Sequence, residues 1–166
     1  MRMTRAWLLR MKPHGDDRVP GALRTGTITI GWGKADGLTD ATLSWTSFRD
    51  EVMRAYHADD RDRRASGRAT GQLWRFLRGM PPGDIVLVPD GPRIHVARII
   101  GNPTHDSAPV AEHHAHKRPV EWLTGTTGVA RASLPADLRS TLRYQSTCLD
   151  VTRHLDSIHH SIPESR

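Results

Sequence analysis

Cysteine, phenylalanine and tyrosine are scarce in this chain of 166 residues, and long apolar runs are missing. The single Cys148 excludes a disulfide within the chain, which favours a reducing, cytoplasmic compartment. No stretch approaches the roughly 20 consecutive apolar residues that a membrane-spanning helix needs, so no membrane contact is expected. The apolar run Trp7–Leu9 stops at Arg10 and is too short for a secretory signal.

The sequence motifs of common enzyme classes are missing as well. We find no nucleophile elbow, no phosphate-binding loop, no dinucleotide glycine fingerprint and no paired metal-ligand motif. Glu112, His113 and His116 could supply three zinc ligands, but they lie beside two basic residues and lack a partner motif, so no metal is expected. Cys148 lies in a strand-like segment and is interpreted as a buried, inert thiol. The sequence therefore predicts a protein without enzymatic activity and without a cofactor.

Positive charge and tryptophan are the two features in surplus. The formal net charge is +6, and arginine carries most of the positive charge. A basic chain favours an anionic partner, nucleic acid before others. The chain has 5 tryptophans against 2 phenylalanines and 2 tyrosines. Packing is the commoner role of any single tryptophan, but a few exposed indoles can stack on bases.

The apolar pattern predicts the element order β-β-α-α-β-β-β-α-β. Period-2 and β-branched runs predict strands, and i, i+3, i+4 spacing predicts helices. The predicted strands cover residues 5–11, 26–32, 85–88, 94–99, 117–123 and 145–152, and the predicted helices cover residues 46–57, 65–80 and 135–144. Residues 12–21 are interpreted as a loop, and residues 58–64 as a solvated linker.

The strands arrive as hairpins rather than as strand–helix–strand crossovers. This order predicts an α+β fold with a curled, mainly antiparallel sheet and helices inserted between strands. At this length we expect a single domain, residues 1–153. Residues 154–166 are polar and rich in histidine, and we expect a flexible C-terminal tail.

A protein that reads a base needs a stacking surface, groups for the base edge and cations for phosphates. Trp32 is the first candidate for stacking, because two glycines flank it and allow the backbone to bend sharply. The other stacking candidates are Trp74 and Trp45, and the edge candidates are Asp36, Asp90 and Thr39. The candidate phosphate-binding cations are Arg68, Arg75, Arg93, Lys117 and Arg118.

Five segments occur in a characteristic order: AWLLR, TITIGWGKADGLTD, GQLWRFLRGMPPGDIVLVP, HVARIIG and HKRPVEWL. In this order they resemble the PUA-like module at the N-terminus of Mrr-type restriction endonucleases, which is related to EVE and YTH domains. The resemblance spans about residues 5–123. It implies a PUA-like curled β-barrel that takes a flipped, modified base, for example a methylated one, into an aromatic pocket.

The resemblance also implies residue roles and partners. It assigns these positions to the pocket and its rim: Trp32, Asp36, Leu38, Gln72, Trp74 and Arg118. It implies DNA rather than RNA as the nucleic acid, in a restriction or defence setting with a nuclease domain or protein as effector. Where EVE-type modules place an aromatic residue, this chain has Pro89 and Asp90.

Three other functions stay open at the level of sequence. The first is an RNA-binding protein of the same PUA-like fold. The second is a ribonuclease on this scaffold, with His113, His114 or His116 as the acid or base. The third is an interaction module that binds no nucleic acid.

Overall fold

Strand β1 (Ala6–Leu9) is buried along its whole length. Trp7 and Leu9 point into one apolar cluster, whereas Ala6 and Leu8 point into a second cluster on the other face. Successive side chains of a strand alternate between the two faces of a sheet. Because both faces are covered here, the strand has a continuous apolar sequence rather than an alternating one.

The computed structural model describes residues 2–56 and 63–163. The further strands are β2 (Thr27–Ile30), β3 (Ile85–Asp90), β4 (Arg93–Ile99), β5 (Thr104–His105), β6 (His116–Trp122), β7 (Val129–Ala130) and β8 (Cys148–Asp150). The helices are α1 (Val19–Thr25), α2 (Trp45–Tyr56), α3 (Arg63–Trp74), α4 (Ala136–Thr141) and α5 (Leu155–Ser161). Short 3-10 helices lie at Pro13–Gly15, Pro109–His114, Arg131–Ser133 and Thr152–His154, and α3 runs into a π-helical turn at Arg75–Gly79.

The strands form one curled sheet in the order β2-β6-β4-β3-β1-β8, with β5 paired to β6 and β7 paired to β4. Strand β1 pairs with β3 in parallel because α1, β2, α2 and α3 are inserted between them. The other recorded pairings are antiparallel. The predicted α+β class is therefore confirmed: the sheet is curled and mainly antiparallel, and helices lie between strands.

Helices cover both faces of the sheet. Phe48 of α2 and Leu73 of α3 are fully buried in the cluster that contains Trp7. Leu138 of α4 and Ile158 of α5 belong to the cluster that contains Leu8. None of the helices within the described part of the chain has the length and apolar character needed to cross a bilayer.

Two segments depart from the sequence prediction. The predicted loop at residues 12–21 runs into α1, which begins beside Pro20 and ends at Gly26 in the left-handed conformation, φ 66°. Proline at a helix start and glycine after its end are standard boundary signals, so this helix could have been found. Residues 58–62 of the predicted linker lie outside the described residues, and α3 begins at residue 63.

The predicted flexible tail is the second departure. Residues 155–161 form α5, and Ile158 is only 1% exposed. Leu155, Ile158 and Ile162 pack on the second cluster at i, i+3 and i+7 spacing, which is one face of a helix. The polar composition concealed this narrow apolar face. Residues 164–166 lie outside the described residues.

Candidate functional site

A pocket of about 840 Å³ opens between the ends of β1 and β2, beside the turn that joins β3 and β4. Strands β1 and β2 are separated in the sheet by β6, β4 and β3, so only the curl of the sheet brings their ends together. The buried side chains of Met11 and Ile30 form apolar parts of its lining. The volume lies in the range of small-molecule sites.

Trp32 lines this pocket and has an unusual backbone conformation. Its φ is 56°, which makes it the one positive-φ residue other than glycine in the described chain. A bulky side chain adopts this left-handed region only when neighbouring structure holds it there. The indole is half-buried and packs against the first apolar cluster, so one face of the pocket is a fixed aromatic wall.

Two histidines bind the backbone around Trp32. The imidazole Nε2 of His116 donates to the carbonyl of Trp32 at 3.2 Å, and Nε2 of His105 donates to the carbonyl of Gly33 at 2.9 Å. Their rings lie 4.9 Å apart between centroids. Burial lowers the pKa of His116 to about 4, against the opposing effect of its hydrogen bond to Trp32. His116 is therefore neutral at physiological pH.

A second aromatic residue, Tyr56, contributes to the pocket lining from the end of α2. Its hydroxyl accepts a hydrogen bond of 2.9 Å from the backbone N–H of Lys34. The Lys34 ammonium lies 5.6 Å from the centroid of the same ring. The tyrosine is thus tied to the loop that follows Trp32.

Two arginines form a cationic part of the pocket lining. Arg10 donates to the carbonyls of Leu142 and Tyr144, and Arg131 donates to the carbonyl of Leu142 at 3.3 Å. Burial and the neighbouring Arg131 lower the pKa of Arg10. Among the residues that the structure describes, both guanidiniums donate to backbone carbonyls and neither bonds to a carboxylate.

The rim of the pocket carries an ion pair. Lys12 lines the pocket, and its ammonium lies 3.2 Å from Asp90 and 3.7 Å from Asp17. The Asp90 carboxylate also lies 3.2 Å from Nε2 of His95. Burial works to raise the pKa of Asp90, but the hydrogen bonds from His95 and Lys12 outweigh it and lower that pKa.

The structure distributes the predicted base-pocket residues over several places. Trp32 lines the pocket, and Asp90 lies at its rim beside Lys12. Asp36 and Thr39 are exposed on the loop after Trp32 and are not part of the lining. Leu38 is fully buried in the first apolar cluster, so it is a core residue rather than a pocket residue.

The helical candidates for the pocket form a separate packing cluster. Trp45 and Trp74 meet edge to face at 5.2 Å between ring centroids, and Phe48 meets Trp74 in the same way at 5.1 Å. The Arg78 guanidinium lies 4.9 Å from the Trp74 ring centroid. The side-chain oxygen of Gln72 accepts a hydrogen bond from the backbone N–H of Cys148, and this contact joins β8 to α3. These contacts correct the assignment of Gln72, Trp74 and Trp45 to the pocket.

Three of the predicted phosphate-binding residues donate hydrogen bonds to backbone carbonyls of the protein itself. Arg118 is 2% exposed and donates to the carbonyls of Phe76 and Gly101. Arg75 donates to the carbonyl of Cys148 at 3.2 Å, and Arg93 donates to the carbonyls of Thr127 and Gly128. The buried Arg118 cannot reach a phosphate, because its strand position faces the core. Lys117 is half-exposed and lies 3.6 Å from Asp106.

Arg68 is exposed on α3 and outside the pocket lining. The cations that do line the pocket, Arg10, Lys12 and Arg131, were missed by sequence reasoning. Arg10 and Lys12 directly follow the buried strand β1, and loops at the ends of strands often carry binding residues. This position was the one signal in the sequence that could have identified them. Arg131 lies far along the chain and carried no local signal.

The histidine cluster does not form a single site. His116 is fully buried, His113 lines the pocket, and His114 is half-buried with a pKa lowered mainly by burial. No group of three His, Cys, Asp or Glu side chains in the described residues could hold a metal ion. Cys148 is buried, and burial raises the pKa of its thiol to about 12, so the thiol stays protonated.

A sequence profile of the family described as "Domain of unknown function (DUF8426)" matches residues 7–145. The chain belongs to the DUF8426 family. The matched DUF8426 segment contains the pocket lining from Arg10 to Gln145. A search of curated protein sequences finds no significant match.

One solved structure similar to this DUF8426 chain is the YTH domain of the Zygosaccharomyces rouxii MRB1 protein in complex with N6-methyladenosine RNA. The TM-score is 0.50 at 13% sequence identity, and the match covers 100% of this chain and 89% of the YTH chain. At this identity the similarity concerns the fold. The YTH-related part of the resemblance seen in the sequence is thus confirmed at the level of the fold.

Proposed function

We propose that this protein is a nucleic-acid reader that takes one extruded, modified base into the pocket and stacks it on Trp32. The observation that carries the proposal is the combination, in one pocket, of a tryptophan at φ 56° with two arginines that bond to no carboxylate among the described residues. The indole suits a base, and the guanidiniums suit a phosphate.

The energies involved are compatible with such a reader. Extruding a base from a duplex costs a few kcal/mol, and stacking on an aromatic side chain offsets about 1–3 kcal/mol of that cost. Discrimination of a single methyl group by an apolar pocket is worth about 1–3 kcal/mol. We therefore expect a modest preference for one modification on top of a salt-dependent affinity for any nucleic acid.

We further propose DNA as the nucleic acid, in a restriction or defence setting. The resemblance to the N-terminal module of Mrr-type restriction endonucleases supports this setting, and a nuclease domain or protein is then the effector. In this proposal the module itself performs no chemistry. The burial and low pKa of His116 support that view, because they remove it as an acid or base for strand cleavage.

RNA is the second candidate ligand. It is favoured by the structural neighbour, whose YTH domain was solved with N6-methyladenosine RNA. A reader of single-stranded RNA stacks unpaired bases directly and so avoids the cost of opening a duplex.

The test is a binding titration with labelled short duplexes. They carry no modification, 5-methylcytosine, 5-hydroxymethylcytosine, N6-methyladenine or a phosphorothioate linkage, with matched RNA strands and two salt concentrations. We expect one modified probe to bind about tenfold more tightly than its unmodified match, a difference of about 1.4 kcal/mol. Intact probes after incubation check the absence of cleavage.

Trp32→Ala and Trp45→Ala form a matched pair of variants. We expect Trp32→Ala to abolish the preference, whereas Trp45→Ala preserves it because Trp45 lies on α2 and does not line the pocket. A preference that survives Trp32→Ala rules out the pocket assignment. Equal binding of every probe reduces the function to a basic surface, and no binding at all favours a protein-interaction module.

A further inference from the structure

The conformation of Trp32 needs a restraint beyond the freedom that its two flanking glycines allow. Its φ of 56° is adopted by bulky residues only where surrounding structure imposes it. Gly31 and Gly33 on either side permit many conformations and fix none. Within the segment, the backbone N–H of Ala35 donates to the Trp32 carbonyl at 3.1 Å and closes a turn. Any further restraint has to come from side chains outside the segment.

The sheet places two histidines where they can supply this restraint. Ile30, the last residue of β2, is the register partner of His116 on β6, and His116 is the register partner of His105 on β5. Beyond Ile30 the chain leaves the sheet, and the two rings reach the carbonyls of the second and third residues that follow, Trp32 at 3.2 Å and Gly33 at 2.9 Å.

The protonation of His116 is set by this contact. A carbonyl oxygen can only accept, so Nε2 must carry the proton, and Nδ1 is left as a bare acceptor. In the described structure His116 Nδ1 is buried without a hydrogen-bond partner. A buried polar atom without a partner is costly and calls for an explanation. The hydrogen bond that Nε2 of the same ring donates to the Trp32 carbonyl supplies that explanation.

We propose that His105 and His116 are positioning residues of the pocket, which hold Trp32 in the pocket wall before a ligand arrives. Restraint in the free protein lowers the entropy that is lost on binding and so raises affinity. The inference rests on the proposed function only for the nature of the ligand, because the restraint itself is a property of the free protein.

The first test uses the wild-type protein without ligand. Long-range ¹H–¹⁵N correlation spectra report which ring nitrogen of each histidine carries the proton. We expect both His105 and His116 to carry it on Nε2. A proton on Nδ1 alone, in either ring, overturns the proposal, because a bare Nε2 cannot bind a carbonyl.

The second test compares His105→Gln with His105→Leu. Glutamine keeps a side-chain N–H donor, whereas leucine keeps only the bulk. The 5 indole N–H signals of the protein report on each tryptophan, and Trp32→Phe identifies the signal of Trp32. We expect His105→Leu to displace that signal alone and His105→Gln to restore it, with His160→Leu on α5 as the control.

The same variants are then titrated with the modified duplex that the wild type prefers. We expect His105→Leu to weaken binding about fivefold or more, and His105→Gln to recover most of the loss. Equal behaviour of the two variants, or a shift of all indole signals together with a fall in Tm, overturns the positioning role. If the wild type binds no probe, the proposed function fails, but the tautomers and the Trp32 signal still decide whether the histidines restrain the tryptophan.

Discussion

Arg118 demonstrates how strongly one position in a strand decides the role of a side chain. It follows Lys117 on β6, and the two basic residues face opposite sides of the sheet. Lys117 is half-exposed, whereas Arg118 is 2% exposed and donates to the carbonyls of Phe76 and Gly101. Phe76 lies in the π-helical turn after α3, so the guanidinium donates a hydrogen bond to a carbonyl of that irregular turn. Burial lowers the pKa of Arg118 to about 10, which still leaves it charged at neutral pH.

Replacement of Arg118 tests this structural role. We expect Arg118→Met to lower the free energy of unfolding by about 3 kcal/mol, because the buried carbonyl of Phe76 and the partly buried carbonyl of Gly101 lose their donor. Urea denaturation measures the change. Lys117→Met is the control, and we expect an effect within about 0.5 kcal/mol for this more exposed residue. Similar losses in both variants contradict the assignment of Arg118 to the core.

His116 gives the stability of the protein a predictable pH dependence. Burial lowers its pKa from the ordinary value of 6.5 to about 4 in the folded protein. Between these two values the unfolded chain binds a proton at this histidine and the folded protein does not. The contribution of His116 is thus fully present above pH 6.5 and is lost as the pH falls toward 4. Between these limits the slope is about 1.4 kcal/mol per pH unit for one proton.

Urea titrations of the wild type and His116→Gln at several pH values between 7.5 and 4.5 isolate this effect. Other histidines with lowered pKa values, such as His114 and His154, are present in both proteins and cancel in the difference. We expect the wild type to lose stability more steeply than the variant below about pH 6.5. Parallel curves for the two proteins are incompatible with a buried, neutral His116.

At the scale of elements, α5 shows how a narrow apolar face can be missed in a polar sequence. Residues 155–161 are rich in histidine, and only Leu155, Ile158 and Ile162 carry the packing against the second cluster. Helix α4 and strands β1, β3 and β4 contribute the other side of that cluster. The helix is therefore part of the fold rather than an appendage to it.

Ile158→Ala tests the contribution of α5. Truncation of a fully buried isoleucine leaves a cavity and costs about 2–4 kcal/mol of unfolding free energy. His159→Ala changes the adjoining, exposed residue of the same helix and is the matched control. Denaturation midpoints of the two variants and the wild type measure the difference. A loose tail, by contrast, predicts that both variants behave like the wild type.

Gln72 and Arg75 illustrate a different element-scale effect. Both lie on the helical segment that the sequence correctly predicted, yet both turn toward β8 and bind the backbone of Cys148. The spacing of three residues places them on one face of the helix. That face could be read from the sequence, but the strand it meets could not, because the contact joins segments more than 70 residues apart.

At the scale of the molecule, the net charge of +6 and the arginines of the pocket combine in a prediction about salt. Each phosphate that a protein neutralises contributes about −0.9 to the slope of log K against log salt for duplex DNA. If Arg131 binds a phosphate, Arg131→Gln reduces the magnitude of the slope by about 1 and weakens all probes alike.

Arg139→Gln is the matched control for this measurement. It removes one positive charge from α4, outside the pocket lining. We expect it to leave the slope nearly unchanged, while Trp32→Ala alters the preference among probes and not the slope. Equal slopes for Arg131→Gln and Arg139→Gln exclude Arg131 as a phosphate contact, and a long-range field of the whole protein then accounts for the salt dependence.

The sequence by itself determined six of the eight strands, three of the five α-helices and the α+β class of the described chain, because these follow from the alternation and spacing of apolar residues along a short segment. Strands β5 and β7 have two residues each, too few to show a period. It also singled out Trp32, since glycines on both sides of a tryptophan are a local signal. What only the tertiary structure decided is which residues share the pocket. Arg10, Arg131 and Trp32 meet there because the sheet curls and brings together strand ends that lie apart in its order, and no local pattern encodes that closure.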